Sequence, residues 1–327
     1  MRENEIIKKF FAPLSKKEKG ALNLNDDAAV LNYNYSKQLV ITSDCLVSGV
    51  HFFETDPPEL IARKCLGVNI SDLGAMGAKP KFFLLSAAWP KDISDDWLSK
   101  FSNGLKVAQK DWNIILIGGD TVSTPGPMTL SITALGEVFK NTYLSRKGAL
   151  IGDDIYVTGT IGDAFLGLEI TKGKYNALSS QERLYLQNCY WTPKPRHEVS
   201  MDLISIATSA TDVSDGLIKD LKNILNASNV SAQLTIMNVP HSLVAQKLSR
   251  KGHINYIDLI LGGDDYELLF TAPEKSMMEI SSISKKHSVP ITKIGKIINL
   301  DSSPSLEVLD DKMLPIKFNH GEGFDHF

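Results

Sequence analysis

The sequence predicts a two-domain α/β protein, and three observations carry that expectation. At 327 residues the chain is longer than one hydrophobic core usually organises. Short β-type runs alternate with amphipathic stretches of helical period along most of its length. Between Lys140 and Asp154 this alternation gives way to a polar segment carrying Gly148 and Gly152. That segment sets the boundary between one domain over 1–140 and a second over 150–327.

Taken in order, Ile6, Ile7, Phe10 and Phe11 form a helical stripe and predict a first helix. AAVLNY and QLVITSD read as strands joined by an Asn/Tyr/Ser turn. Asp56 before Pro57 is a helix-start signal, opening a helix that runs to about Met76. KFFLLSAAW is a strand and Ser94 to Lys110 an amphipathic helix. IILIGGD reads as a buried strand ending in a glycine turn, and MTLSITALGEV as a further strand. Past the boundary, DIYVTG is a strand. Helices are expected near Asp163–Lys172, Pro195–Ala207 and Gly216–Ala227, and strands at AQLTIM, YELLFTA and ITKIGKI. Gly159, Gly162 and Gly167 fit turns and close packing, not a dinucleotide fingerprint.

Composition narrows the function classes. Hydrophobic residues at 43% and charged residues at 22% are ordinary for a globular protein. Lys+Arg 35 against Asp+Glu 38 leaves a formal charge of −3, so there is neither a basic footprint for nucleic acid nor a polybasic membrane anchor. Cys45, Cys65 and Cys189 lie far apart, which fits a reducing compartment and argues against a disulfide framework or zinc site. The first twenty residues are too charged for a signal peptide, and the longest apolar stretch, Phe82 to Trp89, is far short of a bilayer span. A cytoplasmic location is expected.

The outstanding pattern is aspartate at strand ends and beside glycines: Asp26, Asp27, Asp44, Asp72, Asp120, Asp212 and Asp215. Singly, an Asp in a turn more often caps a helix or bonds its own backbone. Seven such positions in loops and at strand ends suggest a displayed set. If the fold gathers them, two like charges about 4 Å apart cost roughly 4 kcal/mol at an effective dielectric near 20, so cations are needed. Oxygen donors without His or Cys favour Mg²⁺, which takes one or two carboxylates plus waters and substrate phosphates. The chain has no P-loop and no protein-kinase H-R-D or D-F-G set, so nucleotide use would follow another design.

NDDAAVL, TSDCLVSGVHF, NISDLGAMGAKP, IGGDT, SRKGALIGDDIYVTGTIGD, DVSDGL, GGDDYELLF and GEGFDHF occur in this order from end to end. Together they resemble the thiamine-monophosphate kinase family, in the wider superfamily of aminoimidazole ribonucleotide synthetase and selenophosphate synthetase. GGDDYELLF with the C-terminal GFDHF points to the kinase branch. The resemblance implies an N-terminal α/β domain that closes a β-barrel across a homodimer, a C-terminal α+β domain, and ATP and several Mg²⁺ ions between them. It places metal ligands at Asp27, Thr42, Ser43, Asp44, Asp72, Asp120, Asp212 and Asp215. Nucleotide contacts fall at Gly119, Asp120, Arg146 and Ser214, and substrate contacts at His51, Asp264 and Phe324.

Three positions depart from the family's usual pattern. Asn23-Leu24-Asn25-Asp26-Asp27 stands for G-x-G-D-D, Asp264 stands in a Glu place, and Ser43 stands where Thr is common. Asn tolerates positive φ better than other non-glycine residues, so the first turn can survive.

The implied reaction is ATP-dependent phosphorylation of thiamine phosphate to thiamine diphosphate. Its acceptor is a phosphate monoester with a second pKa near about 6, largely dianionic at neutral pH, so no general base and no catalytic side chain is required. Two other readings stay open: an ATP-dependent synthetase of the same superfamily, and a non-catalytic nucleotide- and metal-binding protein.

Overall fold

The structure is a computed structural model that describes residues 3–18, 36–299, 303–316 and 323–324. Two compact units emerge: Met1–Leu73 with Ala78–Asn141, and Gly74–Gly77 with Thr142–Phe327. Asp26, Asp27 and the expected strand AAVLNY lie outside the described residues.

The first unit opens with a short helical segment, α1 (Glu3–Ile6), a π turn (Ile7–Phe11) and α2 (Ala12–Ser15). Ile6, Phe10, Phe11 and Leu14 are buried, and Phe11 stacks on Trp89 at 6.4 Å between ring centroids. Strand β1 (Lys37–Val47) is followed by helix α3 (Pro58–Ala75), β2 (Lys79–Pro90), α4 (Asp95–Trp112), β3 (Ile115–Thr124) and β4 (Thr129–Phe139). The strands form one open sheet in the order β1-β4-β2-β3, antiparallel except for the β2–β3 pair.

Period-2 alternation decides what each face of this sheet presents. Leu46, Leu130, Ile132 and Ala134 fall on one buried face, against which α3 packs through the Cys65 thiol at the Leu130 carbonyl. Leu39, Ile41 and Val122 fall on the other and are exposed. Helix α4 begins where its sequence signals it should. The Ser94 hydroxyl accepts from the Trp97 N–H at 3.1 Å, and Leu98, Phe101, Leu105, Ala108 and Trp112 form its buried stripe.

The helix expected after Asp56 opens at Pro58 and runs to Ala75, and the Asp56 carboxylate accepts from the Phe53 N–H at 2.8 Å. One local expectation needs correction. IILIGGD does not end in a turn: β3 continues to Thr124 in parallel register with β2. The glycines serve close strand approach, since a Cβ on Gly119, whose φ is +150°, would lie 1.8 Å from the Leu85 carbonyl oxygen.

The second unit carries β5 (Asp154–Thr158), α5 (Asp163–Thr171), α6 (Ser180–Trp191), α7 (His197–Leu203), β6 (Ser209–Val213), α8 (Leu217–Ser228), β7 (Ser231–Thr235), α9 (Leu243–Arg250), α10 (Tyr256–Leu261), β8 (Glu267–Ala272), α11 (Met277–His287), β9 (Ile291–Ile298) and β10 (Leu306–Leu309). Its six strands run in the order β10-β7-β9-β5-β8-β6, antiparallel except for β10–β7. Ile155, Val157, Val213 and Leu269 pack on one side with Leu217, Leu221 and Ile224 of α8. Tyr156, Leu268 and Phe270 pack on the other with Val199 and Leu203 of α7 and Ile280 and Ile283 of α11. The sheet is therefore covered on both faces by helices, the arrangement that fully buried β5, β6 and β8 require.

Candidate functional site

In the first unit, β1 and α3 bring three of the expected metal ligands together. Alternation sends Thr42 and Asp44 to the face under α3, and Asp72 lies one turn beyond Asn69 on that helix. The Thr42 hydroxyl donates to Asp72 Oδ2 at 2.5 Å, and the Asp44 N–H donates to Asn69 Oδ1 at 3.2 Å. Asn69 is itself fixed, its amide donating to the Cys65 carbonyl at 3.1 Å. Withdrawal from water, and then the charge and hydrogen bond of Asp72, push the Asp44 carboxyl up to about 7. The Asp44 carboxyl therefore holds its proton up to near neutral pH, and a divalent cation would relieve the same repulsion.

The other residues of this unit stand apart from that pair. Ser43 points to the opposite face, where its hydroxyl meets that of Thr133 at 3.0 Å. Asp120 is exposed, pairs in register with Ser86, and accepts from the Thr121 N–H at 2.8 Å. Among the described residues, no three carboxylate, His or Cys side chains converge into a metal-holding group. His51 sits in the turn after β1, where its Nδ1 accepts from the Val47 N–H at 3.0 Å. Its ring proton is therefore on Nε2.

In the second unit the organising element is the loop from β6 to α8. Asp212 is buried near the end of β6. Asp220, in the first turn of α8, accepts the Ser214 and Asp215 N–H groups on Oδ2, each at 3.0 Å. Burial pushes the Asp220 carboxyl up to about 6 even though those backbone bonds pull it down. Asp215 pairs with Lys219 at 3.0 Å, and Arg146 Nε donates to the Thr211 hydroxyl at 3.3 Å.

Two residues expected to touch substrate meet on this same loop. The Asp264 N–H donates to the Ser214 carbonyl at 2.8 Å, and the Phe324 N–H to the Asp215 carbonyl at 2.9 Å. Lys219 also donates to the Phe324 carbonyl. Asp264 and Phe324, far apart in sequence, thus dock on the adjacent residues Ser214 and Asp215.

Sequence reasoning missed the residues that hold the turn on which Asp264 lies, just before β8. Asp265 accepts from the Gly162 and Ala164 N–H groups at 2.8 and 3.3 Å, placing a carboxylate at the start of α5. Glu267 accepts two bonds from Arg196 and one from the Thr158 hydroxyl. Tyr266 donates from its hydroxyl to Asp264 Oδ1 at 3.1 Å. The available signal was two acidic residues at i and i+2 entering an apolar strand, where burial demands partners.

Comparison with known proteins gives this arrangement its context. The family model for the N-terminal domain of AIR synthase related proteins matches residues 25–138, and that for the C-terminal domain matches 151–303. The chain is 39% identical over 330 residues to the thiamine-monophosphate kinase of Haemophilus influenzae, covering 100% of this chain and 98% of that protein. A crystal structure of the thiamine-monophosphate kinase from Stenotrophomonas maltophilia superposes with a TM-score of 0.80 at 37% identity, over 86% of this chain and 89% of that one. AaThiL complexed with AMPPCP and TMP superposes with a TM-score of 0.77 at 28% identity, over 100% and 99%. Likeness of this extent, running through both units, leads to one assignment: the chain belongs to the thiamine-monophosphate kinase family.

Proposed function

We propose that the protein transfers the γ-phosphoryl group of ATP directly to thiamine phosphate, giving thiamine diphosphate and ADP with Mg²⁺ as the required cation. The observation that carries the mechanism is the Asp44–Asp72 pair, in which burial and the charge of Asp72 raise the proton affinity of the Asp44 carboxyl. That donor chemistry fits a hard divalent ion, with Thr42 completing the oxygen set. Mg²⁺ bound there would supply charge neutralisation between two polyanionic reactants.

The chain's own residues then bind and orient. Asp27, Ser43, Asp120, Asp212 and Asp215 are the further metal ligands, and Gly119, Asp120, Arg146 and Ser214 the nucleotide contacts. His51 suits a phosphate oxygen through its Nε2–H, because its other nitrogen is committed to Val47. Asp264 and Phe324 contact the thiamine moiety, the carboxylate as an acceptor and the ring as an apolar face. Residues 1–140 serve metal and ATP binding and dimerisation, and 150–327 form the second domain.

A homodimer closing a barrel through the first unit is part of the reading. It is supported by exposed Leu39, Ile41 and Val122 on one face of an open four-stranded sheet. Among the described residues no helix is long and apolar enough to cross a membrane.

Incubation with Mg-ATP and thiamine phosphate tests the function. Thiamine diphosphate and ADP in equal amounts support the kinase. ADP formed only with a formylglycinamidine substrate would mark a synthetase, and tight ATP binding without turnover a non-catalytic binder.

A further inference from the structure

The turn leading into β8 places two residues in the left-handed backbone region, Asp264 at φ +71° and Tyr266 at φ +50°. For a tyrosine this conformation is sterically disfavoured, and it persists only where the surroundings over-determine it. They do so here. The Asp264 and Tyr266 N–H groups donate to the Ser214 and Val213 carbonyls, each at 2.8 Å. The intervening Asp265 is tied to Gly162 and Ala164, and the following Glu267 to Arg196. The two anchored acids alternate with the two positive-φ residues, and the result is that the Tyr266 hydroxyl reaches Asp264 Oδ1 at 3.1 Å.

We propose that Tyr266 is a positioning and specificity-determining residue, whose hydroxyl holds the Asp264 carboxylate in place as the acceptor for the exocyclic amine of the substrate's aminopyrimidine ring. The inference rests on the reading of Asp264 as a substrate contact. A carboxylate offers only acceptors, so a fixed one selects a ligand edge that presents N–H groups and rejects one that presents a carbonyl oxygen. A carboxylate free to rotate could evade that mismatch. The phenol bond removes the rotation, and it does so without adding a charge to the site.

The test compares the wild type with Tyr266→Phe, Asp264→Ala and the double variant. It measures KM and kcat for thiamine phosphate, for its oxo analogue oxythiamine phosphate and for ATP, together with melting temperature. Loss of the one hydroxyl should raise KM for thiamine phosphate about fivefold, the scale of a hydrogen bond to a charged group in a partly wet site. Preference for the amine over the oxo compound should fall by a similar factor, while the KM for ATP and the melting temperature hold. In the Asp264→Ala background Tyr266→Phe should add nothing, because the hydroxyl acts through that carboxylate. If Asp264→Ala raises the KM for thiamine phosphate but Tyr266→Phe changes neither KM nor preference, the role given to Tyr266 is wrong while the substrate site stands. A parallel fall of kcat with both substrates and of melting temperature in Tyr266→Phe would make the hydroxyl structural, and would equally overturn the proposal. If Asp264→Ala instead changes only the KM for ATP, the site reading itself fails.

Discussion

Arg196 grips Glu267 through two parallel bonds inside the second unit, Nε to Oε2 at 2.6 Å and Nη2 to Oε1 at 2.5 Å. Both side chains are largely buried, at 17% and 8% exposure, and the Thr158 hydroxyl adds a third bond to Oε2 at 2.6 Å. The pair fills the space beside Gly159, where a Cβ would lie 2.0 Å from Glu267 Oε1. It fastens the start of β8 to the end of β5 and to the start of α7.

Arg196→Ala strands a buried carboxylate and should destabilise the protein by about 3–5 kcal/mol, whereas replacing both partners by apolar residues of similar size, Arg196→Met with Glu267→Leu, should recover most of that loss. Urea denaturation of the three variants checks this. A single variant as stable as wild type would show that the pair does not hold the sheet.

Asp44 gives a pH-dependent prediction. Its carboxyl is raised from 3.8 to about 7, so between those values the folded chain holds a proton that the unfolded chain has lost. This contribution to stability is fully present below the unfolded value and disappears as pH rises through the folded one. The depressed histidines His197 and His241 act in the opposite sense, so the comparison must be with a variant rather than across pH alone. Metal-free Asp44→Asn should melt higher than wild type at pH 8 by several degrees, with a smaller gain at pH 5.5, since about 1 kcal/mol moves the midpoint by roughly 2–4 °C in a domain of this size. Saturating Mg²⁺ should stabilise the wild type more than the variant. Equal Mg²⁺ stabilisation of both proteins would remove Asp44 from the metal site.

Asp72→Asn and Asp120→Asn extend the same idea to turnover. Each should fall by orders of magnitude in kcat while remaining folded by circular dichroism. Asp120 is the more discriminating, because it lies on a different strand and apart from the Asp44–Asp72 pair within the unit. Near-wild-type activity of both at saturating Mg²⁺ would count against a metal array.

Asp264→Ala should raise the KM for thiamine phosphate about tenfold, the equivalent of a charged hydrogen bond of ~1.5 kcal/mol, with a smaller fall in kcat. In the proposed site this contact is remote from the transferring phosphoryl group and would contribute mostly uniform binding. Asp264→Glu, restoring the residue usual in the family, should remain active. Steady-state kinetics with each substrate varied in turn decides the matter.

The sequence made β1–β5, β7–β9 and helices α3, α4, α5, α7 and α8 legible, whereas β6, β10, α6 and α9–α11 were not read. Alternation marked β1 and β4, and Ser94 with its apolar stripe marked α4 within a residue or two. The gaps had physical reasons. Gly118 and Gly119 resemble a turn in sequence because nothing there reveals the neighbouring strand that forbids a side chain. Helix α6 carries a capping box, Ser179 with Glu182, but its buried face reduces to Leu186 and Tyr190, too sparse for a clear period. For the candidate site, motif resemblance named Asp44, Asp72, Asp264 and Phe324, of which the structure sets Asp44 beside Asp72 and docks Asp264 and Phe324 on Ser214 and Asp215. The supporting carboxylates Asp220, Asp265 and Glu267 were not legible, because their partners are backbone N–H groups and an arginine distant in sequence.

The proposed homodimer is checked by sedimentation. Exposed Leu39, Ile41 and Val122 lie on a single sheet face, so Ile41→Lys should shift a micromolar solution from dimer toward monomer. A wild-type protein that is monomeric at that concentration would reject the barrel.

The central claim is direct in-line transfer from ATP to thiamine phosphate, with no phosphorylated side chain between. Turnover with ATP whose γ-phosphoryl group is made chiral by oxygen isotopes measures it most directly, through the configuration of the terminal phosphoryl group in the product. Thiamine diphosphate with inverted configuration is the predicted result; retained configuration, or no label in thiamine diphosphate, would contradict it.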